Sequence, residues 1–299
     1  MPQHVFISDY NTKWPLKFSE EKQAISEILK DNCIAIYHIG STSVEGLSAK
    51  PIIDIMVVVK SLGAADCVRD KFLHLGYEWL GEFGIAGRRY LRKGGDNRTH
   101  QIHIFAADDW LNIHRHLAFR DYLRTHDDIR KKYEALKHSL AAKFEYDIKS
   151  YCEGKDAFVK RIEELAVGEF DEAWEHLYIC AKKVLQPRAV LKFIEAGSVA
   201  AALMTDRGNI YTGVCIDTAC SLGMCAERNA IGQMITNSEY TICKLVVIDA
   251  DGGLLMPCGG ACRENMMQLC SEGGDIEILK DRDSCAAVGL KSLLPEWWA

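Results

Sequence analysis

Residues 225–228 read Cys-Ala-Glu-Arg, and residues 257–263 read Pro-Cys-Gly-Gly-Ala-Cys-Arg. Each stretch is predicted to begin a helix, and the second follows a predicted strand. Unpaired N–H groups and the positive end of the helix dipole favour thiolates at such helix starts. Cys225, Cys258 and Cys262 therefore form a candidate zinc site with three thiolate ligands.

The elements around these two stretches predict a layered domain. Outward from them, the sequence indicates a helix at 171–186, a hairpin of strands at 199–204 and 209–215, and strands at 244–249 and 275–279. The resulting order, α-β-β-α-β-α-β, is typical of an α/β domain.

Three protein ligands leave the fourth position of a zinc ion open, as in catalytic sites. Zinc lowers the pKa of a bound water molecule toward ~7. Glu227 is predicted not to coordinate zinc but to carry a proton from that water to a leaving nitrogen, and Arg228 is predicted to hydrogen-bond the ligand sulfurs. The alternative is a closed structural site in which Cys215 or Cys220 supplies a fourth thiolate.

These motifs resemble the cytidine deaminase superfamily, whose zinc enzymes use a glutamate that is not a zinc ligand. The resemblance covers about residues 170–299 and includes the strand 199–203, the hairpin 208–213 and the tail 293–295; blasticidin-S deaminases share the layout. It implies a three-layer α/β/α fold, one zinc per chain, and hydrolytic deamination of a cytosine-type nucleoside or nucleoside analogue. The family has C-x-x-C, whereas this chain has one more residue between its two cysteines.

The substrate pocket departs from the resembling family at two places. Gly197 stands where the family has a base-stacking phenylalanine, and residues 215–217 (Cys-Ile-Asp) replace an N-x-E segment that holds ribose hydroxyls. Tail aromatics close the pocket of a neighbouring subunit in that family, but here they could also pack on their own domain. The predicted substrate-binding residues are Cys215, Asp217, Ala226, Trp297 and Trp298.

The first half mixes helix and strand signals and then becomes helical. A helix at 17–30, strands at 34–39 and 52–59, a helix at 63–75, strands at 88–92 and 101–106, and helices over 109–167 are predicted. The stretches 38–43 (HIGSTS), 50–54 (KPIID) and 119–124 (FRDYLR) resemble the GrpB family, over about residues 5–166. This resemblance implies a nucleotidyltransferase-like α+β domain.

In nucleotidyltransferases a Gly-Ser turn cradles phosphates and an Asp-x-Asp pair binds two Mg²⁺ ions. The corresponding strand here reads Asp54-Ile55-Met56, so the second carboxylate is missing. Mg²⁺ is a candidate cofactor, and His103 could assist a different metal. The predicted pocket for a nucleotide or phosphate consists of Gly40, Ser41, Ser43, Lys50, Asp54, His103, Arg120 and Arg124.

Length, charge and cysteine content limit the number of domains and the classes of protein that remain possible. The chain has 299 residues, which favours two domains, and we place them at 1–168 and 169–299. With 36 basic and 42 acidic residues, the net charge of −6 argues against a dedicated nucleic-acid-binding protein. No apolar run reaches the ~18 residues of a membrane helix, and residues 1–15 lack the pattern of a secretory leader. Twelve cysteines then indicate metal binding or buried thiols in the cytoplasm.

The sequence thus predicts a zinc-dependent hydrolase of the cytidine deaminase type joined to a GrpB-like domain. Its expected partners are a small nucleoside-like substrate and further copies of the chain, as a tetramer or a dimer, and neither a membrane nor nucleic acid. The alternative is a nucleotide-binding or nucleotidyl-transferring protein in which the zinc domain is structural.

Overall fold

The computed structural model describes residues 4–169, 172–269 and 275–297. The chain divides into two compact units, Met1–Asp171 and Glu172–Ala299. The boundary predicted at Gly168 lies within the last turn of a helix, Ile148–Glu169, rather than between two helices. None of the described helices combines the length and apolar character needed to cross a membrane.

The N-terminal unit is a five-stranded sheet with helices. Its strands are β1 (Cys33–Ile39), β2 (Ile53–Val59), β3 (Tyr77–Trp79), β4 (Arg89–Lys93) and β5 (His100–Ala106). They lie in the order β1-β2-β5-β4-β3, with β2 and β5 parallel and the other pairs antiparallel. The helices are α1 (Trp14–Leu29), α2 (Leu62–Cys67), α3 (Arg69–His74), α4 (Trp110–Thr125), α5 (Asp127–Lys143) and α6 (Ile148–Glu169). Short 3₁₀ turns span Lys30–Asn32 and Ser41–Ser43.

Strand β2 lies between β1 and β5 inside the sheet and is almost entirely buried. Six of its seven residues are buried, and the partly exposed one is Asp54. A run of apolar residues without polar alternation is typical of a strand that is covered on both faces. Asp54 is therefore the one ionisable side chain that β2 contributes, and it marks the end of the strand nearest the turn at Ser41–Ser43. The single helix predicted over 63–75 is wrong in detail, because it is divided into α2 and α3.

The C-terminal unit is a mixed sheet between helical layers. Its helices are α7 (Ala173–Val184), α8 (Ala226–Thr236) and α9 (Ala261–Leu269). Its strands are β6 (Arg188–Leu191), β7 (Ile194–Thr205), β8 (Ile210–Thr218), β9 (Ile242–Ile248), β10 (Glu277–Asp281) and β11 (Ala286–Gly289), and a 3₁₀ turn spans Leu290–Leu293. One core cluster joins α7 to the sheet, and another joins α8 and α9 to it. The predicted three-layer α/β/α fold is confirmed, although the predicted element order omitted β6 and β11.

Helix α8 packs unusually close to strand β8, and Gly213 permits this approach. A Cβ atom at Gly213 would lie 2.3 Å from the carbonyl oxygen of Ala226 and 2.4 Å from the amide nitrogen of Ala230. Both are backbone atoms and cannot move aside as a flexible side chain could. The absence of a side chain at Gly213 therefore fixes the distance between the sheet and the first turn of α8, where Cys225 and Glu227 stand.

We predict that Gly213→Ala lowers the melting temperature of the C-terminal unit, because α8 must move away from β8. Overpacking of this kind costs ~1–3 kcal/mol. The matched control is Gly232→Ala, which lies on α8 itself with no neighbouring atom within 4 Å of the added Cβ. This control should stabilise the unit by ~0.5–1 kcal/mol, since alanine is the better helix former. Calorimetry measures both, and equal shifts in the two variants would refute the close-approach argument.

Candidate functional site

The start of α8 and the loop before α9 bring together three side chains of types that can ligate a metal. Cys225 is the N-cap residue of α8, and Glu227 lies in its first turn. Cys258 lies in the loop that follows β9 and precedes α9. One ligand atom from each of Cys225, Glu227 and Cys258 lies within 4.8 Å of the other two. Among the described residues, this is the one group of three such atoms.

The Glu227 carboxylate is buried, and one of its two oxygens has a hydrogen-bond partner among the described residues while the other has none. The side chain is 1% exposed. Its Oε1 accepts a hydrogen bond of 2.9 Å from the backbone N–H of Cys258, whereas its Oε2 is buried without a partner among the described residues. A buried acceptor with no partner is costly unless a ligand or a proton satisfies it.

The thiols around Glu227 are poor acids in the absence of a cation. Burial, followed by repulsion from the Glu227 carboxylate and from Cys225, raises the pKa of Cys258 to about 11. Burial and repulsion from Glu227 also raise the pKa of Cys262. A cluster of acids that oppose each other's ionisation is the arrangement that a bound dication would stabilise, and thiolates are ligands that zinc prefers. The donor set therefore fits zinc.

The two other residues predicted for this site are placed differently. Cys262 is buried at the start of α9, and it does not belong to the group of three atoms within 4.8 Å. The Nε atom of Arg228 is buried without a hydrogen-bond partner among the described residues. The predicted roles of Cys262 as a ligand and of Arg228 as a donor to sulfur stay predictions.

A cavity of about 460 Å³ opens beside the cysteine group. Four of the five predicted substrate-binding residues are described in place, and three of them, Cys215, Asp217 and Ala226, line this cavity. Cys215 is tied into the wall, because its sulfur accepts a 3.3 Å hydrogen bond from the N–H of Val199. Ser198, Thr218 and Ser221 add hydroxyl groups to the lining, which sequence analysis had not selected.

The absence of a base-stacking aromatic side chain at residue 197 has a physical explanation. Gly197 has a φ of +83°, and a Cβ there would lie 2.1 Å from the carbonyl oxygen of Gln186. A side chain cannot be placed at Gly197 without displacing the backbone before β6. The cavity therefore lacks an aromatic side chain from this position.

The C-terminal tail packs on its own unit as far as it is described. The indole Nε1 of Trp297 donates a 2.8 Å hydrogen bond to Glu264, and the ring packs against the core formed with α8 and α9. Trp298, also predicted to bind substrate, lies outside the described residues. The tail was predicted either to close the pocket of a neighbouring subunit or to pack on its own domain, and this position of Trp297 favours the second.

The predicted turn and aspartate of the N-terminal unit are in direct contact. Gly40 has a φ of +67°, and a Cβ there would lie 2.5 Å from Oδ2 of Asp54. The Ser43 hydroxyl donates a 2.6 Å hydrogen bond to the Gly40 carbonyl, which closes the turn. Burial raises the pKa of Asp54 to about 6, while the nearby Lys155 and Lys50 oppose this rise.

Arg120 and Arg124 hydrogen-bond to backbone carbonyls in and next to the turn at Ser41–Ser43. The Arg120 guanidinium makes two hydrogen bonds to Asp121 and one of 3.4 Å to the His38 carbonyl. Arg124 donates a 2.9 Å hydrogen bond to the Ser43 carbonyl. Neither side chain lines either of the two cavities beside Asp54.

Those two cavities adjoin at Asp54. The first, called the lysine cavity here, has a volume of about 590 Å³; the second, called the imidazole cavity, has about 510 Å³. Residues that line both are Ser41, Asp54, Gln101, Cys152 and Lys155. His103 and His116 line the imidazole cavity, and burial lowers the pKa of His116 to about 4 and that of His103 well below its usual value.

Most cations of the lysine cavity were not predicted from the sequence. Lys50 was predicted, but Arg98 comes from the loop between β4 and β5, Lys137 from α5 and Lys155 from α6. Position in the sequence gives no signal for them, because α5 and α6 carry many lysines and only packing decides which ones face the cavity.

Comparisons with known proteins match the two units separately. A family model described as GrpB protein matches residues 4–165. UPF0157 protein YqkA of Bacillus subtilis is 46% identical over 157 residues, which are 52% of this chain and 46% of YqkA, so the match spans about half of that relative. The crystal structure of conserved protein GrpB from Enterococcus faecalis is 47% identical, and the match covers 55% of this chain and 98% of that one with a TM-score of 0.54.

The cytidine deaminase of Sporosarcina psychrophila is 30% identical over 98 residues, which are 32% of this chain and 71% of that enzyme. Both resemblances expected from the sequence are thereby confirmed. The chain belongs to the GrpB family through its N-terminal unit, and its C-terminal portion belongs to the cytidine deaminase family.

Proposed function

We propose that the C-terminal unit is a zinc-dependent hydrolase that deaminates a cytosine-type nucleoside or nucleoside analogue. The observation that carries this proposal is the buried Glu227 carboxylate beside Cys225 and Cys258, with Oε2 unpartnered among the described residues. The cytidine deaminase relative supports the reaction class. Proton transfer by a positioned carboxylate is the chemistry that such a deamination needs.

Zinc held by Cys225, Cys258 and Cys262 would supply a Lewis acid that lowers the pKa of water toward ~7. Glu227 would take a proton from the attacking water at Oε2 while the N–H of Cys258 holds Oε1 in place. The water oxygen then bonds to the ring carbon that bears the amine, while the π pair of the adjacent ring C=N bond moves to the ring nitrogen. Glu227 passes the proton to the leaving nitrogen, and the pair on the ring nitrogen re-forms the C=N bond as the C–N bond to the amine breaks. Ammonia leaves, and the hydroxyl tautomer of a uracil-type product remains.

The cavity supports a small polar substrate. Its volume of about 460 Å³ falls in the usual range for small-molecule sites. Asp217 lines the cavity and would accept hydrogen bonds from substrate hydroxyls, and Ser198 and Ser221 would add further polar contacts. Because Gly197 brings no aromatic, base stacking contributes less here than it would with a phenylalanine at this position.

A second candidate function concerns the N-terminal unit, which we propose binds a nucleotide or another phosphate compound. The direct contact between the Gly40 turn and Asp54, at the edge of two cavities, favours it. Transfer of a nucleotidyl group by two metal ions is disfavoured, since residue 56, where a second carboxylate would stand, is methionine.

We also propose that the protein is a cytoplasmic homo-oligomer, a tetramer or a dimer. Thiolate ligands need a compartment that keeps cysteines reduced. The C-terminal unit exposes large apolar side chains, including Leu191 (69% exposed) and Phe193 (62%) at the β6–β7 hairpin and Leu222 (83%). Exposed apolar patches of this kind mark surfaces that associate with another protein.

The first prediction is that the purified protein holds about one zinc per chain. Cys225→Ser, Cys258→Ser and Cys262→Ser should each lose most of it, whereas Cys243→Ser, on β9 and outside the site, should retain it. Metal analysis measures this. Less than about half an equivalent in the unsubstituted protein, or an unchanged content in Cys258→Ser, would refute the three-thiolate site. Zinc retained by Cys262→Ser but lost by Glu227→Gln would assign the third ligand to Glu227.

The second prediction is that Glu227→Gln lowers the rate of ammonia release by ~10²–10⁴-fold, because the amide cannot accept the proton. Its carbonyl can still accept the hydrogen bond from Cys258, so fold and zinc content should persist. The matched control is Glu239→Gln, a buried glutamate of the same unit that bonds Asn209 and Tyr211 outside the cavity. Cytidine, deoxycytidine, cytosine and blasticidin S are the substrates to screen. Turnover by Glu227→Gln near that of the control would place the proton relay elsewhere.

The third prediction is that Leu191→Lys shifts the protein toward a monomer, because a charge on an exposed edge strand opposes association. Leu111→Lys is the control, since Leu111 is 78% exposed in the N-terminal unit. Light scattering at micromolar concentration measures the mass of both. A monomeric unsubstituted protein would contradict the oligomer.

A further inference from the structure

The lysine cavity carries far more positive than negative charge. Six cationic and two acidic side chains line it. Two of the cations have carboxylate partners, Arg92 with Glu78 at 2.7 Å and Lys149 with Glu153 at 3.8 Å. The other four are Lys50, Arg98, Lys137 and Lys155, and within the described part of the chain none has a carboxylate oxygen within 4.0 Å.

The three lysines without a carboxylate partner converge on two tyrosine rings. The Nζ atoms of Lys50 and Lys155 lie 5.2 Å and 5.3 Å from the centre of the Tyr151 ring. The Nζ atom of Lys137 lies 4.7 Å from the centre of the Tyr133 ring and donates to the Ser48 carbonyl. Ring faces and a carbonyl stabilise an ammonium group only in part, and they leave its net charge uncompensated.

Burial makes the uncompensated positive charge of these lysines more costly. Lys137 is 2% exposed. Burial, then repulsion from Lys155, lowers the pKa of Lys50 to about 8 and that of Lys137 to about 7. An anion in the cavity would favour the charged form of both groups, so ligand binding and lysine protonation would support each other.

Asp54 does not provide the missing negative charge at close range. Its Oδ2 lies against Gly40. In the orientation of the Gln101 amide that satisfies its neighbours, the amide nitrogen donates to Asp54 Oδ1 at 3.0 Å and the amide oxygen accepts from Arg98 Nη1 at 3.1 Å. The Nε atom of Arg98 is buried without a partner among the described residues. Gln101 thus separates Asp54 from Arg98 and leaves Arg98 able to bind an external acceptor.

From this arrangement we infer that the lysine cavity binds the phosphate chain of a polyphosphate compound through Lys50, Lys137, Lys155 and Arg98, without needing a divalent metal. The inference rests on the second candidate function and deepens it. Several fixed cations at converging positions suit a chain of anionic oxygens better than a single carboxylate. The volume of about 590 Å³ admits a triphosphate.

The binding residues differ from those predicted from the sequence. Arg120 and Arg124 are occupied by Asp121 and by backbone carbonyls. They position the turn at Ser41–Ser43, whereas cations from α5, α6 and the β4–β5 loop supply the charge. Both Ser41 and Lys155 line the shared wall of the two cavities, so a nucleoside attached to the phosphate chain could enter the imidazole cavity.

The test is calorimetric titration of the full-length protein with tripolyphosphate and with ATP, in buffer freed of divalent cations by a chelating resin beforehand. Lys50→Gln and Lys155→Gln, both partly exposed and hence expected to fold, should each weaken binding at least tenfold. The control is Lys132→Gln on α5, whose side chain is 65% exposed and pairs with Asp128. It should change affinity less than twofold. Melting temperatures confirm that the variants are folded.

The outcomes separate the two proposals. ATP binding tenfold tighter than tripolyphosphate would identify a nucleotide as the source of the chain, and equal affinities would identify the phosphate chain alone. Binding that Lys50→Gln and Lys155→Gln leave unchanged, or that appears only with added Mg²⁺, would overturn this inference while the second candidate function stands. Failure of both compounds to bind at millimolar concentration would overturn both.

Discussion

An ionisable side chain that leaves water without an opposite charge beside it is destabilising, and both units place such side chains at cavities. In the C-terminal unit Glu227 is 1% exposed, and its Oε2 has no partner among the described residues. In the N-terminal unit Lys137 is 2% exposed and is held by a carbonyl and a ring face. Packing elsewhere must stabilise these groups, and a ligand of complementary charge would relieve each of them. Functional sites are where proteins commonly keep such groups.

Backbone contacts that exclude a side chain hold the two sites in place. Gly213 lets α8 approach β8 so closely that the first turn of the helix, with Glu227, is set by main-chain atoms. At Gly40 the neighbour is a side chain instead, because Oδ2 of Asp54 lies where a Cβ would stand. A main-chain contact is stiffer than a contact between flexible side chains. At Gly213 the fold therefore sets the backbone position of Glu227, and the N–H of Cys258 then holds its Oε1.

Local sequence patterns predicted the helix that carries Glu227 and the strand that carries Asp54. Two helices begin near Cys225 and Cys262, as the capping pattern predicts. The strands on either side of the Gly40 turn lie where their apolar runs predict them. Strands β6 and β11 were missed because β6 is exposed along its whole length and β11 is short, so neither shows a buried face. The lysine cavity was missed for another reason. Its cations come from three distant segments, and only the packing of α5 and α6 selects Lys137 and Lys155.

The loop between Cys258 and Cys262 is one residue longer than the C-x-x-C motif expected from the cytidine deaminase resemblance. Gly259 and Gly260 meet no atom where a Cβ would stand, and Gly260 has a φ of +61°, so the loop accommodates the extra residue without disturbing its surroundings. The N–H of Cys258 stays bonded to Glu227, which keeps the Cys258 thiol near Cys225. Cys262 is instead fixed by burial in α9. Cys258 is thus tied to Glu227 through the loop, whereas the position of Cys262 is set by its helix.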